Sequence, residues 1–130
     1  MKLWKFKVFI GFNGRDIFEE WINEVKKISD DAEEKIRAMI RRLSVTEKWD
    51  RPHFASLKSH TYIFEIIVKT KDKQYRPLGC FGPGPQVFTI LVGASKKGKI
   101  WSPKDAIKTA KKRRKLIFQD NRRYTGEYQP

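Results

Sequence analysis

Two amphipathic helical segments follow each other almost without a linker, and this feature constrains the fold most. Apolar residues fall on one stripe of each segment: Ile17, Phe18, Trp21, Ile22, Val25 and Ile28, then Ala32, Ile36, Met39, Ile40 and Leu43. Asn13 is placed to cap the first helix, and Asp30 with Glu33 resembles a capping box that restarts the second. Because the connection is so short, we predict that the helices pack as an antiparallel hairpin.

Period-two or strongly apolar runs predict four strands around this hairpin. In chain order they are Lys2 to Ile10, a strand centred on Tyr62 to Val68 within the segment Ser56 to Thr70, then Gln74 to Phe81 and Val87 to Ala94. The last run is the most apolar and predicts a central strand. Pro77 requires an edge position or a bulge in the third strand. Lys71-Asp72-Lys73 and Gly82-Pro83-Gly84-Pro85 are predicted turns.

A basic turn, Lys96-Lys97-Gly98-Lys99, precedes a basic C-terminal helix. Ser102 as N-cap, Pro103 at the first position and Asp105 at the third predict where that helix begins. Its narrow apolar stripe is Ala106, Ile107, Ala110 and Ile117, and its other faces carry Lys and Arg. The predicted order is β-α-α-β-β-β-α, an α+β fold with a small, mostly antiparallel sheet. We expect one domain over residues 1–120 and a partly loose tail over residues 121–130.

The charge is large and unevenly distributed. The 130 residues carry a net charge of +14. Residues 1–52 hold 12 Lys and Arg against 10 Asp and Glu, whereas residues 53–130 hold 17 against 5. A field of this size favours polyanions such as RNA or DNA, ribosomes or an acidic partner protein. The first half therefore indicates a scaffold and the second half an anion-facing surface.

Cys80 is the only cysteine, so no internal disulfide is expected and the chain suits a reducing cytoplasm. Cys80 falls in a predicted strand and is expected to be a small core residue. The sequence contains no cluster of His and Cys residues that would indicate a metal site, and no cofactor is expected. The start of the chain alternates and does not resemble a signal peptide, and no apolar run is long enough to span a membrane. We expect no membrane partner.

The order of several short motifs resembles the RelE/ParE superfamily of toxins, and particularly its HigB-like, phage-associated branch. The matching residues are Leu57-Lys58, Tyr62 to Ile66, Gln74-Tyr75-Arg76, Lys96-Lys97, Ser102-Pro103, Ile107, Ala110, and Arg113 or Arg114. The resemblance covers residues 3–118. The chain departs from the family pattern at Ile67, where the family commonly has Arg, at Pro77, where it has an aliphatic residue, and at Ala94, where it often has an aromatic residue.

The resemblance implies a type II toxin that enters the ribosomal A site and cleaves mRNA without a metal. It also implies a co-expressed antitoxin, often of the helix-turn-helix type, as the partner that neutralises it. ParE-like members share the fold but act on DNA gyrase and cut no RNA. Ile67 keeps a third reading open, a catalytically inactive relative that only binds nucleic acid.

In this superfamily Lys, Arg, Tyr and His share the proton transfers and the stabilisation of the phosphorane. The catalytic candidates here are Arg76, Lys96, Lys97, His60 and Tyr124. A strand Arg is able to clamp a phosphate, and its alternative role is an ion pair with Glu65 across the strands. Each of the other candidates also has a non-catalytic alternative. Lys96 and Lys97 are then part of a solvated basic turn, His60 is an incidental surface histidine, and Tyr124 belongs to the tail.

The candidates for RNA binding share positive charge or an exposed ring. They are Lys58, Lys99, Trp101, Lys104, Lys108, Lys111, Lys112 and Arg114. Trp101 is alternatively a hydrophobic plug below the basic turn. The cationic helix face is alternatively the surface on which an acidic antitoxin segment binds, and the two uses are compatible because an inhibitor often covers the working site.

Overall fold

The computed structural model describes residues 2–71 and 73–130; Met1 and Asp72 lie outside the described residues. The helices are α1 (Ile17–Ile28), α2 (Asp30–Ser44), α3 (Ala106–Gln119) and α4 (Asn121–Tyr124). The strands are β1 (Lys5–Phe9), β2 (Phe54–Ser56), β3 (Phe64–Ile66), β4 (Val68–Lys69), β5 (Gln74–Tyr75), β6 (Leu78–Phe81), β7 (Val87–Val92), β8 (Ser95–Lys97), β9 (Ile100–Ser102) and β10 (Thr125–Tyr128).

The strands form two sheets. The larger has six strands in the order β10-β1-β7-β6-β3-β2, with β1 and β7 parallel and every other pair antiparallel. The smaller is antiparallel in the order β4-β5-β8-β9. The α+β class and the mostly antiparallel pairing are confirmed. The structure has more strands than the predicted four.

The helical hairpin forms as predicted, although different residues cap its helices. Asp16 Oδ1 accepts from the backbone N–H of Glu19 at 2.9 Å, so Asp16 rather than Asn13 begins α1. Ser29 Oγ accepts from the N–H of Ala32 at 3.1 Å and begins α2. A serine between two helices can end one and cap the next, which explains how so short a connection reverses the chain.

Helices cover both faces of the larger sheet. One core holds the apolar stripes of α1 and α2 with Phe6, Phe88 and Ile90, and the other holds α3 with Leu78 and Leu91. All six residues of β7 are buried, which confirms the predicted central strand. A strand buried on both faces has no polar alternation, and this accounts for its nearly continuous apolar sequence, in which the buried Thr89 donates its hydroxyl to the carbonyl of Gly82.

The smaller sheet arises where long strands bend out of the larger one. The predicted strand over residues 74–81 is interrupted at Pro77, as expected, and yields β5 and β6. The strand predicted around Tyr62 to Val68 is also divided, into β3 and β4, while residues 57–62 before it form turns. The turn predicted at Lys71-Asp72-Lys73 includes a residue outside the described part, but β4 and β5 on either side of it pair antiparallel.

The segment between β7 and β8 packs closely against α1. A Cβ on Gly93 would lie 2.0 Å from Cγ of Trp21, so only glycine allows the Trp21 ring to approach the backbone here. The basic turn is part of a hairpin between β8 and β9, in which Gly98 has a φ of +62°. The prediction of a plain turn leading into a helix was therefore wrong for residues 95–102.

The C-terminal helix begins later than predicted. Ser102 ends β9, α3 begins at Ala106, and Asp105 stands at the N-cap position without a side-chain cap bond. Pairing of β9 with β8 holds Ser102 in extended conformation, so this residue is not available as a cap. Residues 121–128 form α4 and β10 rather than a loose tail, because β10 pairs with β1 at the edge of the larger sheet.

Candidate nucleic-acid interface

A cationic cleft of about 400 Å³ opens on the smaller sheet. Its lining comprises Lys69, Thr70, Lys71, Lys73, Gln74, Arg76, Lys96, Lys97 and Gly98. We call this set the cationic cleft. Its six basic side chains come from β4, from the turn after it, from the residue that follows β5 and from β8. The hairpins of the smaller sheet therefore bring together charges that lie far apart in sequence. No carboxylate is among the described residues that line it.

Arg76 is the most firmly held cation of the cleft. Its Nη1 donates to Glu65 Oε1 at 2.8 Å, its Nε donates to Gln74 Oε1 at 2.9 Å, and its Nη2 donates to the same Gln74 oxygen. The Glu65 side chain is 6% exposed and that of Arg76 is 15% exposed. The ion pair that the sequence left as an alternative is therefore present. It also fixes the guanidinium plane at the edge of the cleft, so the two roles are compatible.

Lys96 and Lys97 lie on β8 and line the cleft beside Arg76. The Nζ of Lys96 lies 5.1 Å from the centroid of the Trp101 ring, on the paired strand β9. Trp101 is partly buried against the core below α3, so it orients Lys96 and also packs as the alternative reading expected. Lys99 is exposed in the hairpin turn and does not line the cleft.

Three lysines of the cleft were not among the predicted site residues. Lys69 ends β4, Lys71 follows it, and Lys73 precedes β5 with its Nζ 5.3 Å from the centroid of the Tyr75 ring. The sequence signal was present, because these lysines flank a hairpin that leads directly to Arg76. It was missed because Lys71 and Lys73 were interpreted only as turn residues, and Lys69 only as a residue at the end of the preceding strand segment.

His60, Lys58 and Tyr124 do not line the cationic cleft. His60 and Lys58 belong to the turns between β2 and β3, where His60 Nδ1 is buried without a hydrogen-bond partner. Tyr124 ends α4 and stacks on Phe9 with ring centroids 6.0 Å apart. The structure thus brings three of the five catalytic candidates together, and it places His60 and Tyr124 elsewhere.

The helix α3 presents a second set of cations. Lys104, in the turn before it, and Lys108, Lys111 and Lys112 on it are exposed. None of these four forms an ion pair with any described carboxylate. An anionic partner would therefore meet them without first displacing an internal carboxylate.

The two consecutive arginines of α3, Arg113 and Arg114, both contact other parts of the fold and are less available to a ligand than the lysines of this helix. Arg113 donates from Nη1 to the carbonyl of Leu91 at 2.8 Å, and burial lowers its pKa. Arg114 lies between the rings of Tyr62 and Phe118, with its guanidinium carbon 4.6 Å from each centroid. Arg114 is only partly exposed, so it offers less surface to a phosphate than the lysines around it.

Cys80 is fully buried in the core below α3, as predicted, and burial raises the pKa of its thiol to about 12. It is therefore protonated at neutral pH and is not a nucleophile. Within residues 2–71 and 73–130, no group of three or more His, Cys, Asp or Glu side chains is placed to hold a metal ion. None of the helices in these two ranges combines the length and the apolar composition that crossing a bilayer requires.

Comparison with known proteins identifies a family. No curated protein and no solved structure matches the chain significantly. Residues 23–115 match the family described as Phage derived protein Gp49-like (DUF891), a toxin-like family of toxin–antitoxin systems. The matched segment contains the whole cationic cleft and most of α3, and leaves β1 and β10 outside. Because the matched segment covers more than half of the chain's residues, the chain belongs to the Gp49-like family of phage-derived proteins.

Proposed function

We propose that this protein is the toxin of a type II toxin–antitoxin system and that it cleaves mRNA on the ribosome, as HigB-like toxins do. Membership of the Gp49-like family supports the toxin role and implies an antitoxin partner. The observation that carries the nuclease proposal is the cationic cleft, where a guanidinium held by Glu65 and Gln74 lies among five lysines.

In the proposed reaction, the ribose 2′-oxygen forms a bond to phosphorus and the bond from phosphorus to the 5′-oxygen breaks. The 2′-hydroxyl loses a proton, and the leaving 5′-oxygen gains one. Arg76 and the lysines stabilise the negative charge of the phosphorane, because preorganised cations cost no reorganisation when that charge develops. We assign the proton transfers to Lys96 and Lys97, since no His or Tyr is among the described residues that line the cleft.

Primer extension on a reporter mRNA in a purified translation system tests the proposal. We expect ribosome-dependent cleavage by the wild type and at least about a hundredfold less by Lys96→Ala/Lys97→Ala, because general acid–base catalysis typically contributes that much. Lys26→Ala/Lys27→Ala is the matched control, since it removes two consecutive exposed lysines from α1, and it should cleave normally. Absence of wild-type cleavage on active ribosomes would contradict the nuclease proposal.

A second candidate is binding of nucleic acid without cleavage. It is favoured by the engagement of Arg76 with Glu65 and Gln74, and by the position of His60 and Tyr124 outside the cleft. In this case the translation assay shows no new 5′ ends, while a labelled RNA oligonucleotide still binds the wild type and binds Lys96→Ala/Lys97→Ala more weakly. If neither cleavage nor RNA binding is observed, inhibition of gyrase supercoiling is the next assay.

A further inference from the structure

Two exposed aromatic rings and one guanidinium group form a stack beside α3. The guanidinium carbon of Arg114 lies 4.6 Å from the centroid of the Tyr62 ring and 4.6 Å from that of the Phe118 ring. We call these three side chains the aromatic stack. None of them lines the cationic cleft. Tyr62 is 62% exposed and Phe118 is 49% exposed, although each ring contacts the guanidinium, so both rings have surface open to a further planar group.

The two rings of the stack are not explained by packing. Within the described residues, neither Tyr62 nor Phe118 belongs to the two hydrophobic cores. Tyr62 also has a φ of +69°, in the left-handed region that a bulky residue rarely adopts and that glycine adopts without steric cost. The turns before β3 thus hold a strained tyrosine whose ring faces solvent. Strained positions of this kind are concentrated at binding sites.

The surroundings of the aromatic stack are cationic. Lys111 and Lys115 are exposed on α3 within one turn of the stack, and Lys58 is exposed in the turns between β2 and β3. None of these lysines forms an ion pair with a described carboxylate, and neither does Arg114. Neither these turns nor α3 contains any Asp or Glu. An anionic chain would therefore meet uncompensated charge on both sides of the rings.

Single-stranded RNA combines the two chemical groups that this surface accommodates. Each nucleotide presents a flat base, which stacks on an aromatic ring, and a phosphate, which attracts lysine. A duplex keeps its bases stacked inside, so it would meet only the lysines. An apolar protein segment would cover the rings but would not use the cations around them. The surface therefore fits an unpaired RNA strand better than either alternative.

We propose that the aromatic stack binds unpaired bases of single-stranded RNA on the open ring surfaces of Tyr62 and Phe118, while the surrounding lysines contact the adjoining phosphates. Arg114, between the two rings, keeps both in place through its cation–π contacts. The stack binds RNA and takes no part in the chemistry of the cationic cleft. This inference rests on RNA as the ligand of the proposed function but not on cleavage, and the two are measured separately.

The probes are two single-stranded RNA chains of about ten nucleotides with the same charge, one an oligouridylate and the other wholly abasic. Anisotropy of a 5′ fluorescein label gives the affinity of each for the full chain. We expect the wild type to bind the oligouridylate at least about fivefold more tightly, because stacking of a single base contributes at least that factor. A second oligouridylate contains the fluorescent base 2-aminopurine, whose emission is quenched when it stacks on an aromatic ring.

Variants of the protein locate the site. Tyr62→Gly removes one ring at a position whose φ suits glycine, and Phe118→Leu removes the other but keeps an apolar side chain beside Gly82. Each should bind the oligouridylate at least about fivefold more weakly and the abasic chain unchanged. Tyr62→Phe retains a ring and should bind as the wild type does. Phe12→Ala removes a 79% exposed ring outside the stack and should change the affinity less than about twofold.

Equal affinity of the wild type for both chains would overturn the proposal. So would equal losses in Tyr62→Gly and Phe12→Ala, or quenching of 2-aminopurine that persists when Tyr62→Gly and Phe118→Leu are combined. If the translation assay shows no mRNA cleavage while base-dependent binding is retained, the nuclease proposal fails and the aromatic stack stands.

Binding to ribosomes with and without mRNA distinguishes the two sources of unpaired RNA. A loss of affinity in Tyr62→Gly only when mRNA is present would assign the stacked base to mRNA. The same loss on empty ribosomes would assign it to ribosomal RNA.

Discussion

Arg76 illustrates how one side chain combines a structural and a functional demand. Its partner Glu65 is a nearly buried carboxylate, and a buried charge without a partner is costly. The same contact orients the guanidinium toward the cleft that Lys96 and Lys97 also line. Loss of activity after an Arg76 substitution would therefore be ambiguous unless stability is measured in parallel.

A double-mutant cycle separates the two demands. Arg76→Gln alone is expected to lower the free energy of unfolding by about 3–5 kcal/mol, because it leaves Glu65 buried without a counter-charge. Adding Glu65→Gln should restore most of that loss, since a neutral amide needs no cation. Urea unfolding of the wild type, the two single variants and the double variant gives the interaction free energy between Arg76 and Glu65. If the double variant is as unstable as Arg76→Gln, the ion pair is not the cause.

At the level of single residues, the sequence predicted the pairing partner of Arg76 but not the full cleft. Glu65 was found because its strand is strongly apolar around one acid, which makes that acid conspicuous. Lys69, Lys71 and Lys73 were missed because a lysine at the end of a strand or in a turn has no pattern that distinguishes a binding role from a solvated one. Their common position depends on hairpin pairing, which is a tertiary property.

At the level of elements, β10 shows how strongly the end of the chain is integrated. It pairs with β1 over Phe6 to Phe9, and its Tyr128 ring lies edge-on to Phe18 with centroids 5.0 Å apart. Arg37 of α2 donates to the Tyr128 hydroxyl at 2.8 Å and also pairs with Glu33 and Glu19. Partial burial acts to lower the pKa of Arg37, but these partners outweigh it and raise the pKa.

Two substitutions of Tyr128 measure how much the contacts of β10 contribute to the free energy of unfolding. Tyr128→Phe keeps the ring and loses the bond to Arg37, so we expect a loss of about 1 kcal/mol. Tyr128→Ala also removes the contact with Phe18, and we expect about 2–4 kcal/mol. Thermal or urea unfolding provides both values. A loose tail would give no change in either variant, and equal losses would mean that the ring contact contributes nothing.

The elements that the sequence predicted well are those whose pattern is local. The stripes of α1 and α2 and the apolar run of β7 each contain enough periodic or continuous apolar residues to specify their state. The strands β8, β9 and β10 are only three or four residues long, too short to carry a clear period-two pattern, and they are strands only because partners are present. The Ser102-Pro103 signal failed for the same reason, since pairing of β9 overrides a local capping preference.

Across the whole molecule, the acidic residues neutralise the first half and leave the second half positive. Of the eight ion pairs, only that of Arg76 with Glu65 lies entirely within the second half of the described chain. The cationic cleft and the exposed lysines near and on α3 both belong to that half. The charge asymmetry seen in the sequence is therefore also an asymmetry of unpaired charge in the fold.

The salt dependence of RNA binding tests whether α3 contributes to the interface. In a variant with alanine at Lys104, Lys108, Lys111 and Lys112, the logarithm of the RNA association constant should fall less steeply with the logarithm of the salt concentration. The slope should be smaller in magnitude by about 3, since each of the four lost phosphate contacts with single-stranded RNA contributes about 0.7. The charge-matched control replaces Lys2, Lys26, Lys27 and Lys48, which are exposed in the scaffold half, and should leave the slope unchanged. If both variants reduce the slope equally, RNA responds only to net charge, and α3 is then not a specific part of the binding surface.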